Sequence, residues 1–439
     1  MGKILNTYLN KQPTEKIYKG EGQYLITNKR KKYLDLTGGG TSNCILGFNH
    51  PKVLHAINNQ AKKISNIDYK DWIDDNRIEL ANILTSKSTK NLNRVFFSGQ
   101  SGAEACEAAL MLSYQYFYEK GFKNKDIFIS RNESYHGISI LAQTAGDRKH
   151  LKYLSKLCPQ KNIKIRPHDP LHEKKIKESS YDYLNRSISI FKDKIKKIGS
   201  ERIFAFIGEP IMGQLQGDIP PISGYWKQIK YICKKNNIHL IMDEVYTGTG
   251  ICGKYNCFSW DDFEPDFLLI GKTLGAGYIP LSAVLHNSKI EDVIKNNSGR
   301  VSYSTTHQGH TLGVAAALAV QKVICSNNNI EHAKKLGEYL MKNLSNQLKQ
   351  TELIKSIHGR GLRFSVEYNT NDNESFSDLL YKKMKSKHNI LLDIKWHRIG
   401  FRPSFLINYK TANFVIEKVA KEVIELSKKF KPKKNTWHH

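Results

Sequence analysis

Phe267-Leu268-Leu269-Ile270-Gly271-Lys272-Thr273-Leu274-Gly275-Ala276-Gly277 joins four consecutive apolar residues to a glycine-rich turn that carries a single lysine. So short an apolar run, bounded by turn residues, reads as a strand buried on both faces. One element upstream, Ile238 to Met242 is a second such run and ends abruptly in Asp243-Glu244-Val245, followed by Gly248 and Gly250. Further out lie Ile203 to Ile207, Ile127 to Ser130 and Val95 to Phe97. Helix-periodic segments separate them, Ala103 to Tyr118 and Gly224 to Asn236 among them, each long enough to return the chain to the same sheet edge. This alternation predicts an α/β fold: a mostly parallel central sheet with helices on both faces.

The flanks read differently. Helical patterns over Leu312 to Cys325 and Ile330 to Gln350 lead into Gly361 to Tyr368 and a terminal helix from Ala412 to Phe430. Tyr24 to Thr27 and Lys32 to Asp35 form a hairpin too short to hold a core alone, so the N-terminal arm is expected to join the C-terminal segment in a smaller α+β domain. The expected division is 1–60 for the arm, 61–325 for the large domain and 326–439 for the C-terminal small domain. Arg166 to Ser200, polar and Lys-rich with a weak helical pattern from Tyr181, reads as a surface excursion.

Composition narrows the function classes. In 439 residues, 40% hydrophobic content fits a globular protein, and no apolar run approaches the roughly 18 to 20 residues that span a bilayer. Met1 to Lys11 has no apolar core of an export signal, so a cytoplasmic address without membrane association is expected. Seven cysteines, at 44, 106, 158, 233, 252, 257 and 325, make no CxxC pair and read as free thiols, with no metal site assigned. The formal charge of +27 raises nucleic-acid binding, but the lysines are spread through the chain beside Asn and Ile, and no nucleic-acid-binding motif accompanies them. The clusters Lys174 to Lys177, Lys194 to Lys197 and Lys428 to Lys434 read as solvated faces or tails, and no nucleic-acid partner is expected.

Three elements carry chemistry. Asp243 leaves the sheet at its C-terminal edge, where open parallel sheets bind ligands, and a deep carboxylate there stays ionised only against a cation such as a pyridinium. An Asp in that place is also a common cap or turn residue, so its neighbours must decide. Lys272 is such a neighbour: an amine at the same edge, between small residues that permit close approach, as Schiff-base chemistry needs. The third element is Phe96-Phe97-Ser98-Gly99-Gln100-Ser101-Gly102-Ala103-Glu104-Ala105, a strand turning directly into a helix whose first N–H groups and dipole suit a phosphate. It is neither a Walker loop nor a dinucleotide fingerprint.

With these segments in place the chain resembles the class III, or ω-, aminotransferases of the aspartate aminotransferase-like superfamily (fold type I). The likeness runs in order through Leu46-Gly47-Phe48-Asn49-His50-Pro51, Ser101-Gly102-Ala103-Glu104-Ala105, Tyr135-His136-Gly137, Glu209-Pro210-Ile211, Asp243-Glu244-Val245, Gly271-Lys272, Thr306 in the run to Gly309-His310, and Arg402-Pro403. The resemblance implies a transaminase that moves an amino group between an amine or amino acid donor and a keto acid or aldehyde acceptor. It implies pyridoxal 5'-phosphate held as a Schiff base by Lys272, with Asp243 keeping the pyridinium nitrogen protonated. Ser101, Gly102 and Ala103 match the phosphate turn, and Thr306 resembles a threonine that reaches the phosphate from a neighbouring subunit, which implies a homodimer. Tyr135 is expected against one face of the cofactor ring and Val245 against the other, with His136 beside them. Glu209 resembles the acid that organises the substrate side. Trp72 stands where family members often place an aromatic wall, and core burial is the alternative reading. An aminomutase or a racemase would use the same residues, whereas a non-catalytic basic binding protein would have no use for them.

The departures bear on specificity. Tyr246 stands where the family commonly has a Gln that contacts the cofactor's phenolic oxygen, and Ile251 where many members have Arg. Thr311 follows Gly309-His310 where Pro is usual. In Arg398-Ile399-Gly400-Phe401-Arg402-Pro403, Gly400 occupies the place of a carboxylate-binding Arg, which leaves Arg402 and Arg398 as candidates for that contact.

Overall fold

In the computed structural model, residues 15–148, 161–213 and 217–433 are described, with positions 5, 7, 151, 153, 154 and 157. Cys158 and most of 1–11 lie outside them, while the other six cysteines are free thiols. A seven-stranded sheet forms the centre. Its order is Arg94–Gly99, Ser282–His286, Phe267–Ile270, His239–Asp243, Ile203–Gly208, Ile127–Arg131 and Lys161–Ile165. Of these strands only Ser282–His286 runs antiparallel to its neighbours, so the sheet is mostly parallel, as the sequence predicts.

The continuous apolar runs follow from burial on both faces. Leu240, Met242, Leu268 and Ile270 point into one core with helices Ser180–Ile198 and Tyr225–Lys235. Ile241, Phe267, Leu269 and Val284 point into the other, against the alanine-rich face of Gly102–Glu119. Two strands and one helix depart from the sequence reading. Lys161–Ile165 is an edge strand and polar, and Ser282–His286 is short and ends in His, so neither stands out as an apolar run. Helix Ser180–Ile198 is a packed element rather than a surface excursion: Tyr183, Leu184, Ile188, Phe191 and Ile195 are buried at helical spacing, masked in sequence by the intervening lysines.

The N-terminal arm and the C-terminal segment join as expected. Lys32–Asp35 pairs antiparallel with Tyr24–Thr27 and parallel with Ile390–Leu391. A second small sheet, Ile354–Arg360, Arg363–Tyr368, Arg398–Phe401 and Asp393–Lys395, is antiparallel throughout. One of its faces is apolar, with Phe364, Val366, Ile399 and Phe401 in the core with Asn329–Leu348 and Tyr409–Ser427. By strand alternation the other presents Arg363, Ser365, Glu367 and Arg398.

That polar face is latched to the large sheet's surroundings by His172. Its Nδ1 lies 2.7 Å from Asp169 and its Nε2 2.9 Å from Glu367. Burial alone would lower the pKa of His172, but the two carboxylates outweigh it and lift the value to about 10. A raised pKa stabilises the fold below the free imidazole's pKa of about 6.5, and the contribution fades as pH rises through the folded value. The difference in stability between wild type and His172→Gln should therefore be widest near pH 6, on the order of 1–2 kcal/mol, and should have closed above pH 10. Thermal melts of both proteins across that range check it, and a pH-independent gap would refute it.

Candidate active site

The register pairs Asp243 with Leu269, so Lys272, three residues on, emerges beside it at the same end of the sheet. Both line one cavity of about 550 Å³, together with Ser101, Gly102, Ala103, Tyr135, His136, Glu209, Val245 and Tyr246. Every candidate cofactor residue drawn from the sequence except Thr306 is thus in one wall system.

Lys272 sits in a strained backbone, with φ +23, directly after Gly271. Its side chain is half-buried, and its Nζ lies 5.6 Å from the centre of the Tyr246 ring. Burial lowers the pKa of the amine; Asp243 opposes this, and Arg363 and Arg148 add to it. The amine is therefore biased toward its neutral, nucleophilic form.

Asp243 is nearly closed to solvent, 6% exposed, and both of its oxygens are engaged. Oδ2 is 2.7 Å from Nδ1 of His136, and Oδ1 accepts the Val245 N–H at 3.0 Å. His136 thus holds one carboxylate oxygen of Asp243, while its buried Nε2 has no hydrogen-bond partner among the described residues.

Helix Gly102–Glu119 opens on a capping box. Glu104 accepts the N–H groups of Gln100 and Ser101, both at 2.8 Å, and the Ser101 hydroxyl accepts the Glu104 N–H. The first-turn N–H groups of Gly102 and Ala103 are left for an anion. Glycine is required at 102 because a Cβ there would lie 2.5 Å from Cγ1 of Val245. The helix start at Gly102 and the Val245 side chain are therefore in direct contact, and the donor set would suit a phosphorylated, cationic aromatic group with an aldehyde for Lys272.

Around this core, the Arg148 guanidinium lies 3.8 Å from the centre of the Tyr135 ring, and Arg131 donates to the Glu209 carbonyl at 2.9 Å. Burial raises the pKa of Glu209, though His136 and Arg131 act against it. The Leu46 to Pro51 motif braces the structure: the His50 N–H donates to the Tyr278 hydroxyl at 2.7 Å, tying the arm to the end of the glycine-rich turn. Tyr246 turns its hydroxyl to Asp218, donating to Oδ1 at 2.7 Å.

The remaining expected residues lie elsewhere. Trp72, 65% exposed, is neither core nor cavity wall, and Thr306 is exposed. Arg402 and Arg398 are buried outside the cavity wall, and Arg402 pairs with Asp218 at 2.6 Å. The Arg402 guanidinium fills the space beside Gly400, where a Cβ would meet its Nη2 at 2.8 Å. Thr41, Asn43, Gln100, Ile279 and Leu281 are also in the wall, and Arg131, Arg148, Asp218 and Arg363 stand behind it. Sequence reasoning quoted Gln100 within the helix-start motif without giving it a role, and missed the others because no local pattern marks them.

The comparisons with known proteins agree with this geometry. The model of the family described as aminotransferase class-III matches residues 8–423. An adenosylmethionine-8-amino-7-oxononanoate aminotransferase of Methanocaldococcus jannaschii is 32% identical over 370 residues, covering 80% of this chain and 78% of that protein. An uncharacterized aminotransferase of Bacillus subtilis is 30% identical over 369 residues, covering 83% and 82%. Among solved structures, the ω-transaminase from Pseudomonas jessenii in complex with PMP superposes with a TM-score of 0.89 at 25% identity, over 94% of this chain and 93% of that one. No helix among the described residues is long and apolar enough to cross a membrane. With the family match spanning nearly its whole length, this chain belongs to the class III aminotransferases.

Proposed function

We propose that this aminotransferase works with pyridoxal 5'-phosphate attached through Lys272, moving an amino group between an amine or amino acid donor and a keto acid or aldehyde acceptor. One observation carries the reading: Lys272 and Asp243, at adjacent strand ends, open into the cavity that the Ser101–Ala103 helix start also faces. When bound, pyridoxal phosphate supplies an electron-withdrawing ring that stabilises negative charge at the substrate carbon.

The chain's own residues do the rest. Lys272 holds the cofactor and, once freed by the incoming amine, carries a proton at Nζ to and from the substrate carbon. Asp243, oriented by His136 and by the Val245 N–H, holds a proton on the ring nitrogen. Gly102 and Ala103 take the phosphate, Tyr135 and Val245 enclose the ring, and Glu209 orders the substrate side. Trp72 and Thr306, both exposed, are the residues a second copy would complete, which supports a homodimer with shared sites. Arg402 or Arg398 would meet a substrate acid only by leaving its buried place outside the cavity wall. The same reading places the enzyme in the cytoplasm, with small molecules rather than nucleic acid as partners, and divides the chain at 1–60, 61–325 and 326–439.

The test is transfer of ¹⁵N from a labelled amine pool to an added keto acid by the purified protein, with a visible absorbance band that borohydride removes. Label appearing in a new amino acid supports the reading. Label that only migrates within one carbon skeleton, or inversion without transfer, would show a mutase or racemase instead.

A further inference from the structure

Beyond the strand Ile127–Arg131 the chain reaches Tyr135 without regular structure, so the position of that ring depends on side contacts. They come from the short helix Ile140–Ala145 and the residues that follow it. The Ser134 hydroxyl lies 2.7 Å from the Arg131 carbonyl and 3.2 Å from that of Ala145. Asp147 ties the two segments twice, donating its N–H to the Ser134 carbonyl at 2.9 Å and accepting the Glu133 N–H on its carboxylate at 3.0 Å. The carbonyl end of the helix is held in turn by Lys164 of the polar edge strand Lys161–Ile165. Its Nζ donates to Thr144 at 2.8 Å and to Gly146 at 2.6 Å, where free carbonyls and the helix dipole favour a cation.

This strap ends on Arg148. Its guanidinium lies over the Tyr135 ring, 3.8 Å from the centre, and its Nε is buried without a hydrogen-bond partner. Tyr135 lines the cavity and Arg148 does not, so the ring stands between them. The charge is nonetheless felt inside, since Arg148 is among the groups, with Asp243, Arg363 and Glu209, that act on the Lys272 amine. A planar guanidinium laid on an aromatic face is attracted to it, more strongly where water is thinned. Such a contact fixes the plane of a ring whose own torsion is otherwise broad.

We propose that Arg148 is a positioning residue for the cofactor: stacked on Tyr135, and carried there by the strap at 145–148, it sets the plane of the ring against which the cofactor packs. The proposal rests on the reading of Lys272, Tyr135 and the helix start at Gly102 as a cofactor site. To that site it adds a residue that lies outside the cavity wall and that no strand end or helix start announces.

The test uses the enzyme freed of cofactor and pyridoxine 5'-phosphate, which has the ring and phosphate but no aldehyde for Lys272, so that binding reports ring and phosphate contacts alone. Arg148→Met keeps the length of the side chain and loses both charge and plane. It should weaken binding about tenfold, the size of one partly desolvated cation–aromatic contact. Arg148→Lys, a cation without the plane, should recover part of that loss. In a Tyr135→Leu background, where there is no ring left to orient, Arg148→Met should change binding by less than about twofold. Inorganic phosphate, which needs only the helix start, should bind all of these proteins alike. A tenfold loss that persists without the Tyr135 ring, equal binding by wild type and Arg148→Met, or a change in phosphate binding on substitution of Arg148 would each overturn the proposal. The cofactor reading fails differently, through a wild type that binds pyridoxine 5'-phosphate no more tightly than inorganic phosphate, and the role of Arg148 would fall with it.

Discussion

Lys272→Ala should lower kcat by at least about 10⁴-fold, because it removes both the covalent attachment and the proton carrier from one position. Nothing nearby can stand in. Lys272 is the only lysine among the described residues that line the cavity, and the other cations near it, Arg148 and Arg363, are guanidiniums that stay protonated and cannot act as nucleophiles. The cost to the fold should be small. The side chain faces the cavity, so its loss leaves no core void, and burial already disfavours its charged form. Alanine also relieves nothing and adds nothing at φ +23, where any Cβ residue is equally strained. The expected result is a protein that melts near the wild-type temperature, still takes up the cofactor through its phosphate and ring contacts, and shows no borohydride-sensitive visible band. Residual transamination at the wild-type rate would remove Lys272 from the mechanism and with it the central claim.

The parts of this site that could be read from the sequence are those fixed by local geometry. Asp243 and Lys272 each end an apolar strand, and parallel strands one step apart bring their ends to one edge, so their meeting needed no long-range information. Ser101 to Ala103 declare themselves in the same way, since the small residues and the capping glutamate three positions on mark a helix start. What escaped is what depends on tertiary contact. Asp218 lies in a loop without regular structure, and only folding brings it to Tyr246 and Arg402. Arg363 looks in sequence like one more basic residue in a chain rich in them; that it is buried follows from its place on the inward polar face of a sheet. The helix at Ser180–Ile198 shows in sequence only as a weak pattern from Tyr181, because Asn185, Arg186, Ser187 and the lysines from Lys192 on fill the turns between its buried apolar residues.

Asp243→Asn separates charge from shape. The amide keeps the volume of the carboxylate, and its oxygen can still accept the Val245 N–H that now holds Oδ1 at 3.0 Å. Its NH₂ would face Nδ1 of His136, which can accept that bond once the imidazole carries its proton on Nε2, the nitrogen that has no protein partner here. Packing and cofactor uptake should therefore survive. What disappears is the negative charge that keeps a proton on the ring nitrogen, in a pocket where only 6% of the residue meets solvent and little screening is available. Loss of one preorganised charge of this kind costs about 10²–10³ in kcat, so the variant should bind its amine with a KM close to wild type and turn over slowly. The outcome distinguishes two roles for the carboxylate. If Asp243 acted only as an anchor for His136, the asparagine would supply a comparable hydrogen bond and kcat would be nearly unchanged. If it acts through its charge, the loss falls on kcat alone, and substitution of the cofactor by an analogue whose ring cannot be protonated should slow the wild type by a similar factor while hardly affecting Asp243→Asn.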